Sequence, residues 1–237
     1  MTSTLLIAGL VLAFGAVVQG IVGFGIALVG VPIAALIMPE LVPGPLLLIA
    51  PVHTILALVR ERQHVDWRGV GWASLGRLPG GLVGVVIVDS LPQRQFFVVV
   101  GVGVLLFTVL SMVTWKPRPT PGALATAGLV SGAFGTAMAI GAPPMALLYQ
   151  HDRAARIRAT LAAFLLLGAV MSAATLALAG HLGGHDVTLA ATLAPFILVG
   201  FALSGPARKF VDGRIRYAVL AIAGASALAL ISRSLLG

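Results

Sequence analysis

The chain is a succession of long apolar runs separated by short polar segments. The runs cover about residues 3–38, 43–59, 69–88, 95–114, 121–150, 157–179, 187–205 and 216–234. None alternates polar with apolar positions, so the pattern reads as helix and not as the strands of a barrel. About 18–20 consecutive apolar residues cross a hydrocarbon core of about 30 Å as a helix. Lipid also offers no partner for a free backbone N–H or C=O. The expected fold is therefore an all-α polytopic membrane protein. Two runs, 3–38 and 121–150, are too long for one ordinary crossing, and both are interrupted. The first contains Gly20, Gly23, Gly25, Gly30 and Pro32, and the second Gly132, Gly135, Gly141, Pro143 and Pro144. Each is predicted to be a helical hairpin or broken helix that turns inside the protein.

The basic residues test that prediction. Twelve of the fifteen Lys and Arg fall in four groups: Arg60, Arg62 and Arg68; Lys116 and Arg118; Arg153, Arg156 and Arg158; Arg208, Lys209, Arg214 and Arg216. If each ordinary run crosses once and each long run returns to the side it entered from, all four groups share one face. Arg94 and Arg233 then lie on the other, and Arg77 lies inside a span. A single crossing by 121–150 would split the groups. The positive-inside bias thus favours hairpins, with the twelve facing the cytoplasm. Trp67, Trp72, Trp115, Tyr149 and Tyr217 fall at span ends on that same face, where amphipathic rings favour the interface.

The two halves repeat. Gln19-Gly20-Ile21-Val22-Gly23 and Pro32 match Ser131-Gly132-Ala133-Phe134-Gly135 and Pro144 at a constant offset of 112. Pro79 and Gly84 match Pro195 and Gly200 at 116, and Gly103 matches Gly224 at 121. Residues 1–118 and 119–237 each read as a broken-helix hairpin followed by three transmembrane helices. Three crossings is an odd number, so the second half is expected upside down relative to the first. Inverted-topology repeats of this kind recur in secondary transporters.

Composition narrows the class further. Hydrophobic residues make up 59% of the chain and charged residues 9%, against about 25% charged in a soluble domain. A net charge of +8 would suggest nucleic acid in a soluble protein. Here the basic residues sit in loops and set topology, so no nucleic-acid partner is expected. With no cysteine, disulfides and thiolate chemistry are excluded. Met1–Thr4 lacks a basic n-region, so the first run reads as a retained span and not a signal peptide. The expected location is the cytoplasmic (inner) membrane, as a multi-pass protein.

Several segments resemble the TauE/SafE family of membrane transporters, named for sulfite and sulfoacetate export. They are Gln19-Gly20-Ile21-Val22-Gly23-Phe24-Gly25, Gly76-Arg77-Leu78-Pro79-Gly80, Gly141-Ala142-Pro143-Pro144-Met145-Ala146-Leu147-Leu148-Tyr149-Gln150-His151 and Arg158-Ala159-Thr160-Leu161-Ala162. The resemblance covers nearly the whole chain. The family usually has Gly-Gly-Pro-Pro where this chain has Gly141-Ala142-Pro143-Pro144. Alanine is the smallest substitute for glycine, so the turn is expected to survive. The resemblance implies transport of small organosulfur compounds or sulfur oxyanions.

The residues favour an anion independently. All seven acidic residues (Glu40, Glu61, Asp66, Asp89, Asp152, Asp186 and Asp212) fall in predicted loops or at span ends. A cation pathway usually needs buried carboxylates. Arg77 lies well inside the 69–88 run, where an unpaired charge costs at least about 2.5–3.5 kcal/mol on insertion scales. Its guanidinium suits an oxyanion, because it offers paired donors; the duller reading has it snorkel to the interface. In the hairpins, Gly20, Gly23, Gly132 and Gly135 would let backbone approach a ligand. Pro32 and Pro144 would start half-helices whose N-termini favour anions. Gln19, Ser131 and Thr136 would add neutral hydrogen bonds. The competing reading makes these glycines close-packing devices, as Gly128 with Gly132 and Gly80 with Gly84 suggest.

His53 is the one histidine inside a span. It is a candidate for proton coupling or a packing residue. His181 and His185 have a metal-compatible spacing, but Gly183-Gly184 between them makes a shared helical face improbable, and no metal is expected. No cofactor is expected, and no phosphate-binding loop occurs. With no Cys and no buried Asp or Glu, an enzyme is not expected. The function read from the sequence is a secondary transporter moving a small anion by alternating access. The alternative is a passive channel for an anion or small neutral solute. The expected partners are the anionic substrate and the lipid bilayer, and a homodimer is compatible with the reading.

Overall fold

The computed structural model describes residues 3–22, 26–112, 117–207 and 215–236. Gly23 lies outside these described residues, as do Phe24, Gly25 and Trp115. Among them run ten α-helices: α1 (Ser3–Val22), α2 (Val31–Ile37), α3 (Gly44–Glu61), α4 (Trp67–Ser90), α5 (Gln93–Met112), α6 (Pro121–Met138), α7 (Ala142–Tyr149), α8 (Ala154–Leu178), α9 (Gly184–Ala207) and α10 (Ile215–Leu236). Seven of these (α1, α3, α4, α5, α8, α9 and α10) are long and apolar enough to cross a membrane. Their outward side chains are large and apolar, among them Leu82, Val86, Val109 and Val199. A belt of that kind on a single chain marks a lipid-facing surface.

Each interrupted run folds as a long helix followed by a short one. After α6, Ala139 adopts a left-handed conformation (φ 58°, ψ 20°). Its N–H reaches back to the carbonyl of Gly135 at 3.0 Å, and that of Ile140 to Phe134 at 3.3 Å. Those bonds close the helix end. Proline then opens the short helix on each side: Pro143 and Pro144 lie in the first turn of α7, and Pro32 in that of α2. The first turn has no intrahelical use for an N–H, so proline fits there without loss. A π-helical turn at Ile26–Gly30 leads into α2.

The two ends of the bundle are marked by polar contacts. At one end His181 meets Asp89, His185 meets Glu40, Arg94 binds the last carbonyls of α10, and Arg233 binds the carbonyl of Leu36. At the other, Arg158 pairs with Glu61 and Arg156 with Asp66. His181 and His185 therefore separate onto different carboxylates. The helix α1 runs parallel to α9, since Gly9 faces Phe196, Ala13 faces Gly200 and Gly20 faces Ser204. So α1 starts at the His185 end, and α2 returns to that end at Leu36. Likewise α4 runs parallel to α6, with Gly76 on Ala125, Gly80 on Leu129 and Gly84 on Ala133. So α6 starts at the Asp66 end, and α7 returns to it at Tyr149. The two broken runs open toward opposite ends.

The principal helix pairs are α4 with α6, α1 with α9, α3 with α8, and α5 with α10. Exchanging α1–α5 for α6–α10 in order maps this set of pairs onto itself. Prolines lie inside both α4 and α9, at Pro79 and Pro195. The α4–α6 pair is the closest: a Cβ at Gly76, Gly80 or Gly128 would collide with backbone of the facing helix. This is the small-residue packing that lets membrane helices touch without a hydrophobic driving force. Trp67, Trp72 and Tyr217 are exposed at the Asp66 end, as interfacial rings would be. Tyr149 is not an interfacial ring. It is buried, and its hydroxyl donates to Asp66 at 2.9 Å.

Candidate anion site

Arg77 lies near the middle of α4, and only 3% of its surface is accessible. Two helices, α6 and α8, build most of its surroundings. From α6, the Ser131 hydroxyl accepts from Nη1 at 2.8 Å. From α8, the Ser172 hydroxyl accepts from Nη2 at 3.3 Å, and it also accepts from the Thr136 hydroxyl at 2.8 Å. The Phe164 ring, also on α8, lies 5.1 Å from the guanidinium carbon, within cation–π range. Glycines make the space. A Cβ at Gly135 would sit 2.5 Å from Nη2, one at Gly141 2.9 Å from Nη1, and one at Gly168 would overlap the guanidinium itself.

The side chain is thus held inside the bundle and does not snorkel. Among the described residues no carboxylate pairs with it, and its buried Nε has no hydrogen-bond partner. A guanidinium carries five N–H donors, and neutral hydroxyls engage two of them here. A guanidinium with donors to spare can bind an oxyanion.

Arg77 faces a central cleft with about 600 Å³ of empty space, part of it open to the surroundings. Gln19, His53, Thr54, Gly135 and Gly141 line it with Arg77, beside an apolar wall that includes Leu46 and Ile197. Val31 and Ala142, the first residues of α2 and α7, also face it. The start of the eight-residue α7 thus borders the same space, with Ala142 as the one N–H among its first three residues, since Pro143 and Pro144 have none. Gln19, His53 and Thr54 continue into a second cavity, where Arg60, Glu61 and Arg158 stand at the Asp66 end of the bundle.

Compared with known proteins, the chain matches the family described as Sulfite exporter TauE/SafE over residues 7–230. It belongs to that family. It is also similar to the protein named "Probable sulfite/organosulfonate exporter TauE" of Cupriavidus necator. The two are 25% identical over 232 residues, which cover 91% of this chain and 90% of that one. No solved structure matches it significantly. This TauE/SafE chain is accordingly a multi-pass membrane transporter and not an enzyme.

The nine residues selected from the sequence are not all in one place. Gln19, Arg77 and Gly135 line the central cleft, and Ser131 and Thr136 are buried in the hydroxyl shell around Arg77. Gly20 packs on Ser204, and Gly132 lets α6 lie on the backbone of α4, where a Cβ would be 2.6 Å from the Arg77 carbonyl. Pro144 lines a separate surface cleft with Pro143 and Arg118. Gly23 lies outside the described residues. His53 is buried at 3% exposure on the wall shared by the central and second cavities, with Nδ1 unpartnered. Sequence reasoning missed Phe164, Gly168 and Ser172. Gly168 and Ser172 form a small-residue pair four apart in α8, a signal that was available.

Proposed function

We propose that this protein is a secondary transporter that exports a small sulfur oxyanion, sulfite or an organosulfonate, by alternating access. The observation that carries the reading is Arg77, a guanidinium with spare donors and no carboxylate partner among the described residues, on the wall of a central cleft. The printed name of the Cupriavidus relative points to the same substrate class and direction. In this reading residues 1–118 and 119–237 are inverted repeats, supported by helix pairs that survive exchange of the halves and by broken runs that open to opposite ends. The excess of arginine at the Asp66 end supports a cytoplasmic position for that end. The sulfonate or sulfite oxygens accept from the free N–H groups of Arg77, and the Gln19 side chain completes the shell. His53 carries the coupling proton: the residue lines both the central cleft and the cavity toward Glu61, and its Nδ1 has no partner.

The test is flux into proteoliposomes of sulfite, thiosulfate, methanesulfonate, sulfate and acetate, with and without a pH gradient. The expected result is saturable transport of one or more sulfur oxyanions, lost in Arg77→Ala and reduced at least tenfold in Arg77→Lys, which keeps the charge but not the fork. Transport by Arg77→Ala at the unmodified rate would overturn the assignment. Non-saturating flux would replace the carrier with a channel.

A further inference from the structure

Arg77 faces two spaces, not one. On the far side of its guanidinium lies a groove between α4, α6 and α8, lined by Gly81, Thr136, Ser172, Thr175 and Leu178 and holding about 510 Å³ of empty space, part of it open. Leu178 ends α8 and is 91% exposed. It lies at the end where His181 meets Asp89, opposite the Glu61–Arg158 pair. Arg77 is the residue common to this groove and the central cleft. The spaces therefore run in series: the cavity at Glu61 and Arg158, the central cleft, Arg77, then the groove.

The groove also has a counterpart. The cavity beside Glu61 is built mainly by α3, with residues of α1 and α8 and with Phe201 of α9; the groove is built mainly by α8, with residues of α4 and with Thr136 of α6. Exchange of the halves turns α3, the main element of the first space, into α8, the main element of the second, and α1 and α9 into α6 and α4; Arg158 and Ala162 of α8 have no counterpart in the groove. Each space lies along the C-terminal part of a crossing helix, α3 from His53 to Glu61 and α8 from Met171 to Leu178. One opens toward each end of the bundle.

From this we infer that the groove is the outer vestibule, an exit subsite in which hydroxyls of α6 and α8 receive the oxyanion from Arg77. The inference rests on the transporter reading and adds a second binding position to it. Ser172 accepts from both Arg77 and Thr136, so its own proton is free to donate into the groove. Neutral hydroxyls hold an anion less tightly than a guanidinium does, and release requires a weaker site after a stronger one. Gly81 sets the width. A Cβ there would be 3.5 Å from the Thr136 hydroxyl and 3.6 Å from that of Thr175, so a longer side chain would stand in the passage.

The chain has no cysteine, which allows a direct test. Thr175→Cys in intact cells is treated from outside with a membrane-impermeant cationic methanethiosulfonate. Val170→Cys, on an exposed position of the same helix, reports lipid-facing residues. Thr175→Cys should react at least tenfold faster than Val170→Cys, and methanesulfonate should slow it; sulfite is avoided because it attacks disulfides. Gly81→Leu should cut flux at least tenfold while methanesulfonate still raises its thermal stability. Reaction of Thr175→Cys no faster than Val170→Cys would show a lipid-filled groove and overturn the inference, as would unmodified flux in Gly81→Leu. The labelling needs no transport, so loss of the exit subsite and loss of the transporter reading are distinguishable: only absent or Arg77-independent flux overturns the latter.

Discussion

The hydroxyl of Tyr149, the last residue of α7, donates to the carboxylate of Asp66, the residue before α4, at 2.9 Å. Asp66 also accepts from the Gly69 N–H at 3.0 Å and from Arg156 at 3.0 Å, while its own N–H donates to Thr160 at 3.0 Å. One side chain thus caps α4, holds the end of the short helix α7, and joins both to α8. Burial pushes the Asp66 carboxyl up, but the bonds from Gly69, Tyr149 and Arg156 and the Arg156 charge outweigh it and hold the group below its ordinary range. A carboxyl depressed in the folded state stabilises above its unfolded value, about 3.9, and that stabilisation fades as pH falls through the lower folded value. Thermal stability in detergent should therefore be flat from pH 7 to about pH 5 as far as Asp66 is concerned, and fall below about pH 4. In Asp66→Asn the acid fall should be shallower. Tyr149→Phe should lower stability by about 1–2 kcal/mol at neutral pH. A Tyr149→Phe variant with unchanged melting would remove the anchor.

The α4–α6 contact predicts opposite outcomes for two glycines. A Cβ at Gly128 would collide with the Ala73 carbonyl, a backbone atom that cannot rotate away, whereas one at Gly71 meets nothing within 4 Å. Gly128→Ala should cost about 1–3 kcal/mol or prevent assembly. Gly71→Ala should be neutral or stabilising by up to about 1 kcal/mol, because it removes backbone freedom from the unfolded chain. Paired melting curves check this, and equal effects at both positions would mean that the two helices do not touch there.

Hydrophobic run lengths made the spans legible, and glycine with proline located both breaks within a few residues. The prolines start the short helices as expected, but the residue that ends α6 is Ala139, in a conformation glycine usually supplies; no local sequence rule marks an alanine for that role. Arg77 was legible because a lone charge in an apolar run is conspicuous. Its shell was legible only in part. Ser131 stood out through the repeat, while Phe164 and Ser172 look like ordinary members of an apolar helix until tertiary packing brings α8 onto α4. Tyr149 shows the same limit: a ring at a span end has the composition of an interfacial anchor, and only the position of Asp66, 83 residues earlier, turns it inward.

Proton coupling at His53 has a separable signature. The ring lines both the central cleft and the cavity toward Glu61, and the charged groups along that path are Arg77 from α4, Arg60 and Glu61 from α3, and Arg158 from α8. His53→Gln keeps a polar side chain of similar length but cannot bind the proton. It should retain anion exchange between loaded vesicles while losing at least tenfold of the flux driven by a pH gradient. Undiminished gradient-driven flux would assign the proton to another group.

The last prediction concerns the Glu61 end of the path. Arg158 binds Glu61 through Nε and Nη2, at 3.0 and 2.6 Å to its two oxygens. This is the forked geometry that gives an arginine–carboxylate pair its strength. The pair joins α3 to α8 where the second cavity ends. Both partners are more than four-fifths buried, so removing one leaves the other's charge poorly solvated. For an anion entering the cleft at this end, a carboxylate at the mouth repels and a guanidinium attracts, so in the proposed export path the closed pair presents little net field and opens for passage. Glu61→Gln and Arg158→Gln should each slow saturable flux by tenfold or more, and Glu61→Arg with Arg158→Glu should recover part of it by restoring the pair in reverse. A double swap no better than either single variant would show that the two residues act separately, through their individual charges and not as a closing contact.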